Sequence, residues 1–236
     1  MTTQRKRVAV LISGRGSNMT ALIESAKEPD YPAEIVGVIS DKVDAPGLHI
    51  AEAAGIATKV LERRDYQTKE AHDLAIDATL HALGAELVCL AGYMRLLTTS
   101  FVREWQGRMI NIHPALLPLF RGLDTHRKAL EAGVRLHGCS VHFVTAEMDG
   151  GPIIAQAAVP VLPDDSPESL SARVLKAEHR LYPMALRLVA EGKARIEGDK
   201  VRFEGMTASP PEDWALFSLS AAQEDVDVEA LARFTP

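Results

Sequence analysis

Cysteine is scarce in this chain, and no spacing of potential metal ligands indicates a metal centre. The two cysteines, Cys89 and Cys139, each lie inside an apolar run and form no CxxC pair, which is typical of buried, reduced thiols. The eight histidines include no HExxH or other zinc-ligand spacing. The sequence therefore predicts a protein that binds no metal and keeps both thiols reduced.

Long apolar runs and an excess of positive charge are also missing. No stretch approaches the roughly 20 apolar residues that span a bilayer, and the short run at 8–12 is broken by Ser13 and Gly14, unlike a signal peptide. With 26 Lys and Arg against 32 Asp and Glu, the net charge is −6, so the positive field of nonspecific nucleic-acid binding is lacking. We expect a cytoplasmic protein that acts on small molecules, with neither a membrane nor a nucleic acid as partner.

The remaining composition is that of an ordinary globular domain, with 236 residues, 47% apolar and 25% charged. In the first half, short β-branched runs alternate with helical patterns: strands at 7–12, 34–40, 57–61 and 87–91, and helices at 18–26, 45–54 and 67–83. This alternation predicts a three-layer, doubly wound α/β fold with a mostly parallel sheet.

The second half is less regular. Strand patterns occupy 108–113, 137–144 and 153–161, and helices are predicted at 125–132 and from Ser166 to about 191. The pair Gly198 and Asp199 predicts the turn of a final hairpin. We expect one domain over 1–205 and a peripheral tail over 206–236, which is rich in Pro, Ser, Asp and Glu.

A glycine-rich run, SGRGSN at 13–18, links the first predicted strand to the first helix. Glycines let the backbone approach an anion closely, and the N–H groups at a helix start, together with the Ser17 hydroxyl, can bind phosphate oxygens. The run lacks the third glycine of a dinucleotide fingerprint and the lysine of a Walker A loop. It predicts a site for a single phosphate, although a tight turn needed only for packing would give the same pattern.

Asn111 and His113 form a second candidate site at the end of a predicted strand, where open parallel sheets bind ligands. Their spacing of two residues puts both on one face. An amide can donate to a developing oxyanion, and an imidazole can transfer a proton near neutral pH. Asp149, in a distant glycine-flanked loop, could hold the imidazole or stabilise its charge. With no nucleophile elbow in the sequence, the set favours direct attack by a substrate amine, while a core histidine without chemistry remains the alternative for His113.

Six segments, in order over 7–204, resemble the folate-dependent formyltransferases. They are ISGRGSN at 12–18, AGYMRLL at 91–97, NIHPALLP at 111–118, HGCSVHFV at 137–144, EMDGGP at 147–152 and EHRLYP at 178–183. The resemblance implies a Rossmann-like, seven-stranded sheet with one antiparallel strand in the second half. It also implies that 1–105 binds a phosphate, whereas 106–205 binds folate and carries the catalysis.

The resemblance implies a reaction in de novo purine biosynthesis, with 10-formyltetrahydrofolate as co-substrate and no metal. The amine of phosphoribosylglycinamide would attack the formyl carbon, giving formylglycinamide ribonucleotide and tetrahydrofolate. Asn111 would stabilise the oxyanion, and His113 would donate a proton toward it or toward the leaving folate nitrogen. Asp149 would support His113 and help to order a bridging water.

Two binding regions follow from the same resemblance. The ribonucleotide would contact Gly16, Ser17, Asn18 and Glu178. The folate would contact Lys69, Met94, Arg95, Leu96, Leu97, Asn111, Val144, Thr145 and Glu147. The oligomeric state stays open between a monomer and a homodimer.

A few positions depart from the family pattern. The pair Leu119 and Phe120 stands where a lysine and an aromatic residue are usual, so Leu119 is the departure there. Asp124 stands where histidine is common, Lys69 where some relatives have arginine, and Cys139 where a small hydroxyl residue is usual. Lysine cannot make arginine's bidentate contact with a carboxylate. We expect these departures to affect folate affinity rather than the chemistry of the three catalytic residues.

Three other functions compete with this one. Methionyl-tRNA formyltransferase shares the histidine motif but carries an additional basic domain, where this chain has an acidic tail. Formyltetrahydrofolate hydrolase usually has an N-terminal regulatory domain, and here the first strand begins by Arg7. A nucleotide-binding module without catalysis is the alternative from another class, because fold alone does not define an activity.

Overall fold

The β-branched runs of the sequence become the strands of one sheet in the computed structural model, which describes residues 4–205. The strands are β1 (Lys6–Ile12), β2 (Ala33–Ser40), β3 (Thr58–Val60), β4 (Leu87–Leu90), β5 (Met109–His113), β6 (Leu136–Phe143) and β7 (Ile153–Pro160). Their order is β3-β2-β1-β4-β5-β6-β7. Strand β6 alone runs opposite to the other six strands, so the predicted sheet is confirmed.

Five α-helices connect these strands, and a sixth follows β7. They are α1 (Ser17–Ala26), α2 (Pro46–Ala53), α3 (Lys69–Ala82), α4 (Thr99–Glu104), α5 (Thr125–Glu131) and α6 (Pro167–Ala190). Two short elements were not predicted, namely α4 and a 3₁₀ turn at Arg63–Asp65, because neither is long enough to show a helical period. The predicted hairpin forms from β8 (Ala194–Glu197) and β9 (Lys200–Phe203). The tail predicted at 206–236 lies outside the described residues.

The core has two halves, one on each face of the sheet. Val10 and Ile12 of β1 pack into the cluster that α1, α2, α5 and α6 cover, whereas Leu11 packs with Trp105 beneath α3 and α4. All four side chains are fully buried. A strand covered on both faces is apolar at every position, which is why the β1 run shows no alternation.

Both cysteines lie in this core, in β4 and β6, and are unpaired. Burial raises the pKa of the Cys89 and Cys139 thiols to about 12. The prediction of buried, reduced thiols is therefore confirmed.

Helix α6 is fixed across the sheet by buried tyrosines. The Tyr182 hydroxyl lies 3.0 Å from the carbonyl of Leu90, at the end of β4, and 3.1 Å from the carbonyl of Ile110, near the start of β5. Tyr31 donates to the carbonyl of Pro183 at 2.7 Å. These contacts place Glu178, one turn before Tyr182, beside the start of α1.

The N-terminus of α6 is held by Asp165. Ser166 caps the helix as predicted, and Arg173 donates two hydrogen bonds to the Asp165 carboxylate, at 2.6 and 2.8 Å. The carboxylate also accepts from the N–H of Leu162 and the hydroxyl of Ser169. Chiefly because of Arg173, the pKa of Asp165 lies well below its usual range.

We predict that Asp165→Asn lowers the free energy of unfolding by about 1–2 kcal/mol at pH 7, because a charge-assisted pair is lost. A depressed folded-state pKa contributes stability above the ordinary aspartate pKa of about 3.9. That contribution disappears as the pH falls toward the folded-state value, so the difference from wild type should shrink below about pH 4. Urea denaturation at pH 7 and pH 3 measures it. Asp164→Asn, an exposed neighbour, is the control, and an equal difference at both pH values would contradict the prediction.

Candidate active site

Strand alternation determines which side chains of β5 and β6 face the site. Ile110 and Ile112 of β5 pack into the core half under α6, while Met109 packs into the other half. Asn111 and His113 have the same parity as Met109 and therefore project from the second face. In β6 the residue opposite Asn111 is His142. The amide Nδ2 of Asn111 lies 3.2 Å from Nε2 of His142.

The backbone fixes the protonation of His142. Its Nδ1 lies 2.9 Å from the carbonyl oxygen of Phe143, which can only accept, so Nδ1 carries the hydrogen. Burial lowers the pKa of His142, which favours the neutral ring. Nε2 is then an acceptor for Asn111, whose second amide hydrogen forms no hydrogen bond within residues 4–205.

His113 has the opposite arrangement. Its Nε2 lies 3.0 Å from the carbonyl oxygen of Phe120 and must donate to it. Its Nδ1, 3.5 Å from Oδ2 of Asp149, is the nitrogen left to take up or release a proton. The other oxygen of Asp149 lies 3.8 Å from Nε2 of His142. The structure thus brings Asn111, His113 and Asp149 together around His142.

The loop between β6 and β7 carries Asp149 back over this face. Asp149 adopts a left-handed backbone with φ of 51°, and its carboxylate accepts from the N–H of Gly122 at 2.9 Å. A Cβ on Gly151 would lie 1.8 Å from the carbonyl oxygen of Phe143. Glycine at 151 is therefore required for the loop to pack against β6.

The glycine run forms a tight turn at the start of α1. Gly16 has a φ of 74°, and a Cβ there would approach Cα of Gly47 to 3.0 Å. No side chain caps this ten-residue helix, so its first N–H groups have no side-chain acceptor at the cap. An uncapped helix start beside glycines can bind a phosphate.

Asn18 and Glu178 also come together. Asn18 donates to Oε2 of Glu178 at 2.7 Å, although the two residues are 160 positions apart. Burial raises the pKa of the Glu178 carboxyl. Oδ1 of Asn18 is buried with no partner within the described residues, so a ligand donor could satisfy it.

Apart from Lys69 in α3 and Asn111 in β5, the residues expected to bind folate lie in two loops. Met94 and Leu96 are each 66% exposed, while Leu97 and Val144 pack on the same core half from different loops. The Thr145 hydroxyl donates to the carbonyl of Glu147, whose side chain pairs with Arg121. Arg95 instead donates to Asp41.

Lys69 is the least connected of the predicted residues. It begins α3, and Asp73 one turn later accepts from the N–H of Thr98 at 2.6 Å. Lys69 is half-buried, and its side chain makes no hydrogen bond or ion pair to another residue described in the structure. Its role toward folate stays a prediction.

The departures from the family pattern lie around the catalytic group rather than in it. The contact of Phe120 with His113 is a hydrogen bond to its main-chain carbonyl, which does not depend on the identity of its side chain. Asp124 precedes α5 with φ of 58° and pairs with Arg127. Leu119 is 55% exposed, whereas Cys139 is buried in β6.

Sequence reasoning missed His142 as a functional residue. The signal was present, because a period of two in 137–144 puts His142 on the face opposite to the apolar Cys139, Val141 and Phe143. The sequence does not show the register of β5 and β6, which places His142 opposite Asn111.

The part of the chain that the structure describes has no helix both long and apolar enough to cross a membrane. Across those residues, His, Cys, Asp and Glu side chains form no group of three or more that could hold a metal ion.

Known proteins match this chain along most of its length, and residues 6–186 match the formyl transferase family. A phosphoribosylglycinamide formyltransferase of Escherichia coli strain K12 is 43% identical over 208 residues, which is 88% of this chain and 98% of the relative. The crystal structure of a phosphoribosylglycinamide formyltransferase from Brucella melitensis is 60% identical, with a TM-score of 0.77, and the match covers 79% of this chain and 96% of that one.

A third relative is much longer. The trifunctional purine biosynthetic protein adenosine-3 of Gallus gallus is 51% identical over 194 residues, which is 82% of this chain but 19% of the relative. This chain therefore spans about a fifth of that protein's length. From the family match over residues 6–186 and the two shorter relatives, we conclude that the chain belongs to the formyl transferase family, as its motifs predicted.

Proposed function

We propose that this chain transfers the formyl group of 10-formyltetrahydrofolate to the amine of phosphoribosylglycinamide. The products are formylglycinamide ribonucleotide and tetrahydrofolate, and the reaction is a step of de novo purine biosynthesis. The convergence of Asn111, His113 and Asp149 carries this proposal. The loops that follow the adjacent strands β1, β4 and β5 meet at the same end of the sheet. The names of the E. coli and B. melitensis relatives support the choice of substrates.

Direct attack by the substrate amine fits the side chains present. The buried Cys89 and Cys139 thiols, with pKa values raised to about 12, are not thiolates near neutral pH. Ser140 is fully buried, donates to the carbonyl of Ala115 and accepts from the N–H of Leu117. Its hydroxyl is committed to holding the 114–118 loop and has no histidine base.

In the proposed reaction the amine nitrogen forms a bond to the formyl carbon, and the carbonyl oxygen becomes an oxyanion. The free amide hydrogen of Asn111 donates to that oxygen, while His142 keeps the amide in place. The attacking nitrogen loses its proton to Nδ1 of His113, through a water that Asp149 helps to order. His113 Nδ1, beside Asp149, supplies a proton to the leaving folate nitrogen as the old carbon–nitrogen bond breaks.

The two substrates would approach from different loops. The phosphate would bind at Gly16, Ser17 and Asn18, with Glu178 contacting the same ribonucleotide. The folate would lie against the loops that hold Met94–Leu97 and 144–147. All of these residues come from one chain, so a monomer or a homodimer would contain complete sites. We place the reaction in the cytoplasm.

Turnover with both substrates tests the proposal. Purified protein should form tetrahydrofolate from 10-formyltetrahydrofolate only when phosphoribosylglycinamide is present. Product formation can be followed by absorbance and by chromatography of the formylated ribonucleotide. Equal folate turnover without the ribonucleotide would favour the hydrolase alternative, and no turnover with either would reject the transferase.

We predict that His113→Ala reduces kcat by at least about two orders of magnitude, as expected when a general acid is removed. The binding of phosphoribosylglycinamide, measured by calorimetry, should change little because His113 does not touch the phosphate loop. Circular dichroism checks that the variant is folded. Unchanged turnover in the variant would remove His113 from the mechanism. Absence of turnover in the wild type as well would favour the non-catalytic binding module.

The two asparagines of the sequence should behave differently. We predict that Asn111→Ala lowers kcat by about 10²–10³-fold because it removes an oxyanion donor. Asn18→Ala should instead raise KM for the ribonucleotide with little change in kcat, because it removes a binding contact present throughout the reaction. Steady-state kinetics with each substrate varied in turn separate the two effects, and a folate-selective defect in Asn18→Ala would contradict the assignment.

A further inference from the structure

The segment between β4 and α4, residues 91–98, is here called the folate loop. Its most exposed apolar side chains, Met94 and Leu96, face solvent and cannot anchor it by packing. Gly92 gives it a left-handed backbone with φ of 72°. Contacts other than those of Met94 and Leu96 must therefore order the middle of the loop.

Polar contacts from three other parts of the fold hold the folate loop. Near its start, the N–H of Met94 donates to the Ser13 hydroxyl at 2.9 Å. At its end, the N–H of Thr98 donates to Asp73 at 2.6 Å. Between them, Nε of Arg95 donates to Oδ2 of Asp41 at 2.6 Å. Asp41 thus supplies the side-chain contact in the centre of the loop.

In the ion pair between Asp41 and Arg95, the carboxylate is buried although the arginine is partly exposed. The Asp41 side chain is 2% exposed and the Arg95 side chain 43%. Asp41 directly follows β2, and its Oδ1 is buried without a partner among residues 4–205. A buried carboxylate is costly unless its charge is compensated, so Arg95 is kept turned toward Asp41.

We propose that Asp41 is a positioning residue for folate binding, which holds Arg95 and thereby orders the folate loop before the ligand arrives. This inference rests on the proposed function. Arg95 then contributes to folate binding by fixing the main chain of 94–97, because its guanidinium is directed toward the buried Asp41. Asp41 itself touches no substrate.

The ion pair and the glycine run make separable contributions. Ser13 belongs to the run at 13–18 and also contacts the folate loop through Met94 and through Gly92, whose carbonyl accepts from the Ser13 N–H at 3.2 Å. Loss of the Asp41 contact leaves both of these bonds in place. The phosphate side of the site should therefore keep its geometry when Asp41 is changed.

We predict that Asp41→Asn raises KM for 10-formyltetrahydrofolate by about tenfold, because ordering the loop then draws on binding free energy. KM for phosphoribosylglycinamide and kcat should stay within about twofold of wild type. Arg95→Met should give the same folate defect, and the double variant should be no worse than the worse single one, since both remove one interaction. The Kd for tetrahydrofolate, measured anaerobically by calorimetry, should rise in parallel.

Asp165→Asn is the matched control, because it disrupts another buried Asp–Arg pair far along the chain. It should lower stability without changing either KM. If the wild-type protein turns over and Asp41→Asn keeps its folate KM, or raises both KM values equally, the inference is wrong. If Asp41→Asn does not fold, Arg95→Met alone decides, since that side chain is half-exposed. Absence of wild-type turnover would reject the proposed function, and tetrahydrofolate binding would still test the role of Asp41.

Discussion

The antiparallel direction of β6 is the constraint on which the site depends. A parallel strand at this position would require a crossover connection, usually a helix, to reach the next strand. Because β6 is antiparallel to both β5 and β7, the loop from 144 to 152 suffices. Asn111, His113 and His142 project from the face of β5 and β6 opposite to the core half under α6. The loop itself folds back and brings Asp149 to this face.

Two backbone carbonyls give the neighbouring imidazoles different functions. The carbonyl of Phe143 holds the Nδ1 hydrogen of His142, and that of Phe120 holds the Nε2 hydrogen of His113. Burial lowers the pKa of His142, so this ring stays neutral and acts as a hydrogen-bond acceptor. Asp149 lies within 4 Å of both rings. Because Nε2 of His142 already accepts from Asn111, the Asp149 charge is available to Nδ1 of His113.

Local patterns predicted the strands, the long helices and the turn at 13–18, because each of these depends on residues close in sequence. The antiparallel strand could be expected only from family resemblance, since no single strand encodes its direction. Short elements such as α4 have too few residues to show a period. The pairing of Asn111 with His142, and of Asn18 with Glu178, depends on register and on helix placement across 31 and 160 positions. Such contacts arise from tertiary packing and are visible only in coordinates.

The site also retains polar groups that the fold leaves unsatisfied. Oδ1 of Asn18 and Oδ1 of Asp41 are buried without partners in the described chain, and each such group lowers stability relative to a paired one. The consequences differ at the two positions. Asn18 lies where the ribonucleotide is proposed to bind, so a ligand donor there would recover the lost hydrogen bond as affinity. Asp41 lies behind the folate loop, where its buried charge keeps Arg95 in place and adds a contact in the centre of the loop to those at its two ends.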